Sequence, residues 1–208
     1  MSNVSSAYNQ WAEIYDSNKN RTRDLEAISL RTLLAGRRFS NCLEIGCGTG
    51  KNTEWLLTIA EQITAVDLSE GMLGKASEKI NAPQVAFLQA DITQDWQFTN
   101  GPYDLATFSL VLEHIENLHQ IFAKLKAVMQ PNGIVYVGEL HPFKQYTGTK
   151  ARFDTAEGQQ VVTCFNHHIG EFYAAAKAQG FELVELKEWF DEDNRDMPRI
   201  LSLLFRVS

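Results

Sequence analysis

The sequence predicts an α/β protein built on a doubly wound sheet of seven strands, mostly parallel, with an antiparallel hairpin at its C-terminal edge. Short apolar runs bounded by turn residues alternate with stretches of helical periodicity, which is typical of a parallel sheet covered by helices. The last two apolar runs are separated only by a polar, acidic stretch, residues 191–196. Because no helix joins these two strands, we expect them to pair antiparallel.

Each predicted element follows from a local pattern. Pro131 and Gly133 follow a helical pattern and precede an apolar run, so they mark a helix end and a strand start. The predicted strands are Cys42–Ile45, Ile63–Val66, Gln84–Leu88, Asp104–Ser109, Ile134–Glu139, Phe181–Glu188 and Ile200–Val207. The predicted helices are Ser5–Asp16, Arg23–Ala35, Lys51–Ala60, Glu70–Ile80, Leu118–Met129 and Gly170–Gln179.

A length of 208 residues is typical of one domain, and we expect residues 1–208 to form it. Residues 1–38 precede the first strand and predict an N-terminal helical lid. A loop-rich insert, residues 141–166, follows the fifth strand and is expected to cover a ligand site, because binding residues concentrate in such connections. The acidic stretch 191–196 predicts a solvated hairpin loop, with a metal site as the alternative.

The charge balance argues against two classes of partner. Lys and Arg number 19 against 26 Asp and Glu, which gives a net charge of −7. This sign is unfavourable for binding phosphate backbones or anionic membranes, so we expect no nucleic acid and no membrane partner. Three cysteines without a CxxC pair predict a reducing, cytoplasmic location, and no run approaches the roughly 20 apolar residues of a membrane span.

A glycine-rich turn follows the first predicted strand. Gly46, Gly48 and Gly50 lie between an apolar run and a helical pattern. Glycines let the backbone approach a ligand closely, and a helix N-terminus presents free N–H groups to it. The spacing is GxGxG, because Lys51 stands where a dinucleotide-binding fingerprint has glycine. The turn therefore predicts a nucleotide-like ligand, with a tight turn that binds nothing as the alternative.

Carboxylates follow the second and third strands at their C-terminal ends. Asp67 lies about 20 residues after the first glycine, where an acid can accept hydrogen bonds from both hydroxyls of a ribose. It can instead cap the helix that begins near Ser69. Asp91 follows the third strand, where its carboxylate can accept from an adenine amino group. These acids and the glycine turn lie in register and together indicate an adenosine-containing ligand.

These motifs resemble those of the class I S-adenosylmethionine-dependent methyltransferases of the small-molecule type. The matching segments are Leu43–Gly50, Val66–Ser69 with Met72, Ala90–Ile92, Tyr103–Leu105 through Leu112–Ile115, and Met129–Gly133. The resemblance covers about residues 8–140 and implies a Rossmann-like fold with S-adenosylmethionine as cofactor. One departure is Asn132, where the family usually has glycine, although asparagine still permits a left-handed turn.

The resemblance also implies which residues bind the cofactor. Those on its methionine part are Gly46, Cys47 and Gly48. Those on its ribose and adenine are Asp67, Leu68, Met72, Asp91 and Ile92. Ser109 begins the segment implied to lie beside the reactive methyl group.

That segment, Ser109–Ile115, also bears on the acceptor. Family members that methylate nucleobase amino groups carry Asn or Asp followed by Pro-Pro and an aromatic residue there, and this chain does not. Together with the acidic charge, this favours a small-molecule acceptor. His114 is a candidate general base, with a structural histidine at a helix start as the alternative. His119 lies off the same helical face, so we expect no metal site.

Aromatic residues line one face of the N-terminal helical pattern. Tyr8, Trp11, Ala12 and Tyr15 are spaced at i, i+3, i+4 and i+7. Packing against the core is one explanation. The resemblance implies the other, a lid whose tyrosines cover the cofactor, and Tyr15 is the stronger candidate. An aromatic face also suits a sulfonium cation.

The insert is basic within an acidic chain. Its first part carries Lys144, Lys150 and Arg152 and no acid, a local charge of +3. A solvated loop explains this charge, and so does a roof over the acceptor whose cations meet a carboxylate or phosphate, with Tyr146 stacking on the acceptor. His141 is a second candidate base, because ligands bind at the carboxyl ends of the strands in open α/β sheets.

The expected function is methyl transfer from S-adenosylmethionine to a small, anionic acceptor, with release of S-adenosylhomocysteine. Two alternatives stay open. An NAD(P)-dependent oxidoreductase shares the topology, although Lys51 argues against it. A non-catalytic cofactor-binding module is the other, because a fold does not establish an activity.

Overall fold

A computed structural model describes residues 3–12, 15, 19–148, 152–155 and 158–208. The helices are α1 Asn3–Trp11, α2 Arg21–Leu33, α3 Lys51–Leu56, α4 Glu70–Lys79, α5 Leu118–Val128, α6 Pro142–Tyr146 and α7 Ile169–Ala178, with a 3₁₀ turn at Leu112–His114. The strands are β1 Phe39–Ile45, β2 Ala60–Asp67, β3 Val85–Gln89, β4 Tyr103–Ser109, β5 Met129–Leu140, β6 Arg152–Thr155, β7 Gly158–Val161, β8 Phe181–Asp191 and β9 Asn194–Val207.

The main sheet has seven strands in the order β3-β2-β1-β4-β5-β9-β8. The first five run parallel, whereas β9 is antiparallel to both β5 and β8. This confirms the Rossmann-like, mostly parallel sheet with an antiparallel edge hairpin. Because β1 pairs with β2 on one side and with β4 on the other, the chain reverses direction across the sheet at β1. A crevice for ligands opens at such a switch point.

Strand residues alternate between two buried clusters, one on each face of the sheet. Leu43 and Phe108 belong to the cluster that α5 and α7 cover. Cys42 and Tyr136 belong to the opposite cluster, which α2 and α3 cover. Apolar side chains on both faces explain why the parallel strands read as continuous apolar runs in the sequence.

Two segments differ from the expected loops. The insert contains the helix α6 and the small hairpin of β6 and β7, in addition to irregular chain. The Pro131–Gly133 turn lies inside β5 as an irregularity in its pairing with β4, and Asn132 has a φ of 63° there. The left-handed conformation expected at this position is thus adopted by the asparagine.

The acidic stretch 191–196 is mostly strand and tight turn. Arg21, at the start of α2, donates to the Asp193 carboxylate over 2.8 Å, and Arg199 donates to Asp191 over 2.6 Å. Arg199 also donates to the hydroxyl of Thr22. The edge hairpin therefore holds the N-terminus of α2 in place. Across the described residues, no group of three or more His, Cys, Asp or Glu is placed to hold a metal ion.

A helix needs about 20 predominantly apolar residues to cross a membrane. Within the described ranges, no helix is both long enough and apolar enough to do so.

Candidate functional site

A cavity of about 450 Å³ lies at the carboxyl ends of the parallel strands. The glycine turn after β1 and the ends of β2, β3 and β4 form its floor. Side chains of α1, the start of α2 and the 3₁₀ turn form its walls. The position agrees with the crevice expected at the switch point of a doubly wound sheet.

The glycine turn adopts a backbone conformation that other residues rarely reach. Gly46, Gly48 and Gly50 have φ values of 76°, 54° and 80°. A Cβ atom on Gly46 would lie 2.0 Å from Cγ2 of Val111, so a side chain cannot fit there without a shift. A Cβ atom on Gly48 would have no heavy atom within 4 Å. The turn therefore exposes backbone atoms without side chains to the cavity. A ligand can approach such backbone closely.

Asp67 lies at the end of β2, beside the glycine turn. Its carboxylate accepts hydrogen bonds from the backbone N–H groups of Gly48, at 2.9 Å, and Ser69, at 2.8 Å. The cap of α4 is the Ser69 hydroxyl, which accepts from the Met72 N–H, so Asp67 is not the cap. Burial raises the pKa of Asp67, and the backbone hydrogen bonds oppose this shift.

The residues assigned to the adenine side also reach the cavity. Leu68, Met72, Asp91 and Ile92 line it. Asp91 accepts from the backbone N–H of Thr93 at 2.9 Å, which fixes its carboxylate at the strand end. The structure thus brings these side chains together around one end of the cavity.

Helix α1 covers the cavity and is docked through a polar contact. The amide oxygen of Asn9 accepts from the Ser69 hydroxyl at 2.6 Å and from the Gly71 N–H at 3.1 Å. Trp11 packs in a buried cluster with Met72, and both residues also line the cavity. The aromatic face of this helix therefore both packs against the sheet domain and faces the site.

Arg23 provides a cation at the cavity wall that the sequence reasoning missed. Its guanidinium lies 4.5 Å from the ring centroid of Tyr15 and donates to the Tyr15 carbonyl oxygen at 2.6 Å. Both residues line the cavity. A signal was present in the sequence, because a cation in the first turn of a helix opposes the helix dipole and so calls for another partner.

His114 lies at the centre of a chain of hydrogen bonds. Its Nδ1 atom lies 2.8 Å from the carbonyl oxygen of Thr163, and its Nε2 atom lies 3.0 Å from the hydroxyl of Tyr8. A carbonyl can only accept, so Nδ1 carries the proton and the Tyr8 hydroxyl donates to Nε2. Burial raises the pKa of Tyr8, which keeps this hydroxyl protonated. The pair faces the cavity.

Buried carboxylates support the site from behind. Glu139 accepts from the backbone N–H groups of Val111, at 3.0 Å, and Leu112, at 2.8 Å, and so orders the 3₁₀ turn. Burial raises the pKa of Glu139 to about 8. Asn52 donates to Glu26 at 3.0 Å and to the Ser109 hydroxyl at 3.3 Å. This network fixes Ser109, which lines the cavity.

Several expected site residues do not line the cavity. Cys47 is buried among apolar side chains on the α2 face of the sheet. His141 caps α6 by accepting from the Phe143 N–H at 3.1 Å, and its Nε2 atom lies 2.9 Å from Glu188. With both ring nitrogens engaged away from the cavity, His141 is not placed to act as a base there.

Two of the expected acceptor contacts of the insert, Lys144 and Tyr146, are described by the structure and do not line the cavity. The Tyr146 hydroxyl contacts Nδ1 of His168, and the side chain is 53% exposed. Lys150 lies outside the described residues, and Arg152 is placed only as the first residue of β6. Among the described residues of the insert, Val162 is buried in the same cluster as Trp11 and Met72.

Comparison with known proteins gives consistent matches. The methyltransferase domain family matches residues 43–137. An uncharacterized methyltransferase of Emericella nidulans is 28% identical over an alignment of 222 positions. This alignment covers 86% of this chain and 76% of that protein. A malonyl-[acyl-carrier protein] O-methyltransferase of Salmonella typhimurium is 30% identical over 132 residues, 64% of this chain and 51% of that protein. The chain thus spans about half the length of that relative.

A solved structure extends the likeness to the whole fold. The N-methyltransferase NodS from Bradyrhizobium japonicum, in complex with S-adenosyl-L-homocysteine, has a TM-score of 0.74 at 18% identity. The superposition covers 99% of each chain.

Proposed function

We propose that this chain is a class I S-adenosylmethionine-dependent methyltransferase and that it methylates a small-molecule acceptor bound beside Tyr8 and His114. One observation carries the proposal. A glycine turn with bare backbone, the Asp67 carboxylate and the Tyr8–His114 pair all line the same cavity. The first two fit a nucleoside cofactor, and the pair adds a group that can accept a proton.

The residues present fit S-adenosylmethionine. A side chain at Gly46 would fill the space next to Val111, so the turn is kept open by glycine. Asp67 lies where it can accept from ribose hydroxyls, and Asp91 and Ile92 lie where they can contact adenine. Arg23 supplies a positive charge at the wall that can pair with the carboxylate of the cofactor. When bound, the cofactor supplies a methyl group on a sulfonium, which reacts with nucleophiles.

The protein contributes alignment, exclusion of water and a proton acceptor. Alignment of two reactants can lower a barrier by about 7–11 kcal/mol. His114 Nε2 accepts the hydrogen bond of the Tyr8 hydroxyl, so a proton that leaves the acceptor can pass to the Tyr8 oxygen while the Tyr8 proton moves to His114. The Thr163 carbonyl accepts from Nδ1 and stabilises the charged ring that results.

The size of the acceptor is supported better than its charge. A cavity of about 450 Å³ that holds both the cofactor and the acceptor leaves room only for a small acceptor. An anionic acceptor rests on the local charge of the insert alone, because Lys144 does not line the cavity. The relatives act on different groups: one is named for malonyl-[acyl-carrier protein] O-methylation, and NodS for N-methylation. The absence of a nucleic acid partner and the cytoplasmic location stay predictions.

Two measurements test the proposal. Calorimetric titration should show binding of S-adenosylmethionine and no competing binding of NADH. A metabolite screen that detects S-adenosylhomocysteine should then find an acceptor. Binding of NADH alone would favour an oxidoreductase. Cofactor binding with no turnover of any acceptor would favour a non-catalytic module.

A further inference from the structure

Glu113 is a buried carboxylate that the proposed reaction does not use. It lies in the 3₁₀ turn Leu112–His114, is 6% exposed and lines the cavity. Within the described part of the chain, its Oε2 atom has no hydrogen-bond partner. A buried acceptor without a donor carries a free-energy cost, which is larger for a charged group. Such a cost points to a partner that arrives with a ligand.

The surrounding backbone explains why Glu113 is left without a donor on this atom. The free N–H groups at the start of the turn, those of Val111 and Leu112, are taken by Glu139. The Glu113 carbonyl oxygen accepts a hydrogen bond from the Phe165 N–H at 2.7 Å. This bond fixes the backbone of the turn against the end of the insert. Cys164 and Gln145 hydrogen-bond the Glu113 side chain. Among the described residues, its Oε2 atom still has no hydrogen-bond partner.

The charge around Glu113 indicates the kind of donor that fits. Glu113 and Glu139 are close enough for the charge of one to raise the pKa of the other. Burial raises the pKa of Glu113, and the His114 ring opposes this shift. A neutral hydroxyl would satisfy the oxygen but would not favour ionisation of this carboxyl group beside Glu139. A cation satisfies the oxygen and also stabilises the ionised form of Glu113.

We propose that Glu113 binds a protonated amine of the acceptor, which makes the acceptor an amine-bearing small molecule. This rests on the proposed function, because it places the acceptor in the same cavity. The aromatic residues Tyr8 and Trp11 also line that cavity, and aromatic rings attract cations. The proposal differs from the anionic acceptor expected from the insert.

Three forms of the protein test this proposal: wild type, Glu113→Gln and Glu116→Gln. Gln keeps the size of the side chain and removes its charge. Glu116 is an exposed neighbour that does not line the cavity, so its variant is the matched control. Titration with S-adenosylhomocysteine comes first, and we expect the Kd to be the same in all three within about twofold. This step also shows that both variants fold.

The second step measures amines against carboxylates of similar skeleton at saturating S-adenosylhomocysteine. The probes are benzylamine against benzoate, phenethylamine against 3-phenylpropanoate, and ethanolamine against glycolate. We expect at least one amine at millimolar concentration to raise the Tm of wild type and of Glu116→Gln. Its apparent Kd should be weaker by about tenfold or more in Glu113→Gln. The carboxylates should leave the Tm of all three proteins unchanged.

Each other outcome has a definite meaning. Amines that leave the wild-type Tm unchanged, carboxylates that raise it, or equal amine responses in wild type and Glu113→Gln would each overturn the proposal. A loss of S-adenosylhomocysteine affinity confined to Glu113→Gln would show that the carboxylate holds the amine of the cofactor instead, which also overturns it. Failure of the wild type to bind S-adenosylhomocysteine would contradict the proposed function itself.

Discussion

The Tyr8 hydroxyl lies 3.0 Å from Nε2 of His114, although 106 positions separate the two residues in the chain. Their rings meet edge to face, with centroids 5.6 Å apart. The Thr163 carbonyl fixes the imidazole from its other side. A polar contact therefore joins helix α1 to the 3₁₀ turn at the cavity, and it is placed to move a proton.

Removal of the Tyr8 hydroxyl should slow methyl transfer without preventing cofactor binding. Tyr8→Phe keeps the ring that stacks on Trp11 and removes the donor to His114. We expect kcat to fall by about 10²-fold with the acceptor found by screening, because proton transfer by a positioned side chain contributes about 10²–10⁴-fold. Tyr173→Phe, on an exposed ring of α7, is the control. An unchanged kcat in Tyr8→Phe would exclude the hydroxyl from the reaction.

Asp67→Ala should weaken S-adenosylmethionine binding by at least about tenfold, because two ribose hydroxyls lose their acceptor. The N–H groups of Gly48 and Ser69 lose the same acceptor, which loosens the glycine turn. Calorimetry gives the Kd, and circular dichroism checks the fold. Asp95→Ala removes an exposed carboxylate and should bind as wild type does. Equal affinity of Asp67→Ala and wild type would show that the ribose assignment is wrong.

Two Gly→Ala changes should have opposite effects on stability. Gly46→Ala forces a left-handed residue against Val111 and should destabilise the protein by about 2–4 kcal/mol, with loss of cofactor binding. Gly74→Ala lies in α4 with no atom within 4 Å of the new Cβ and should stabilise it by about 0.5–1 kcal/mol. Urea unfolding measures both. A Gly46→Ala protein as stable as wild type would show that the turn can rearrange.

Buried Glu44 should make stability fall as pH rises. Burial raises its pKa from 4.5 to about 8, so the folded state holds this proton more tightly than the unfolded state does. The resulting stability is complete below about pH 4.5 and is lost as pH rises toward about 8, by up to about 1.4 kcal/mol per pH unit.

Glu44→Gln tests this dependence, because it removes the titration and keeps an oxygen for the Thr53 hydroxyl. Urea unfolding between pH 5 and 8, a window that the raised pKa defines, should show the variant gaining stability over wild type as pH rises. Glu54→Gln, on an exposed residue of α3, controls for the loss of one carboxylate. Parallel curves for Glu44→Gln and wild type would contradict the expectation.

Much of the candidate cofactor site was open to prediction from sequence because its determinants are local. Gly46, Asp67 and Asp91 lie at or just after the ends of parallel strands, and parallel strands end at one edge of a sheet. The acceptor side was harder to predict. His141 also follows a strand, but the residue it contacts, Glu188, comes from the edge hairpin, and no local pattern records that pairing.

The sequence by itself determined the order of strands and helices outside the insert, the glycine turn and the placement of the acids at the strand ends. These follow from side-chain periodicity and from backbone conformations that only certain residues adopt. Only the tertiary structure decided that Tyr8 meets His114, that Arg23 reaches the cavity and that Glu113 keeps an oxygen without a donor. The physical reason is that such contacts depend on how helices dock on the sheet. Here Asn9 docks α1 on the start of α4, and this docking brings Tyr8 to His114, which is distant from it in sequence.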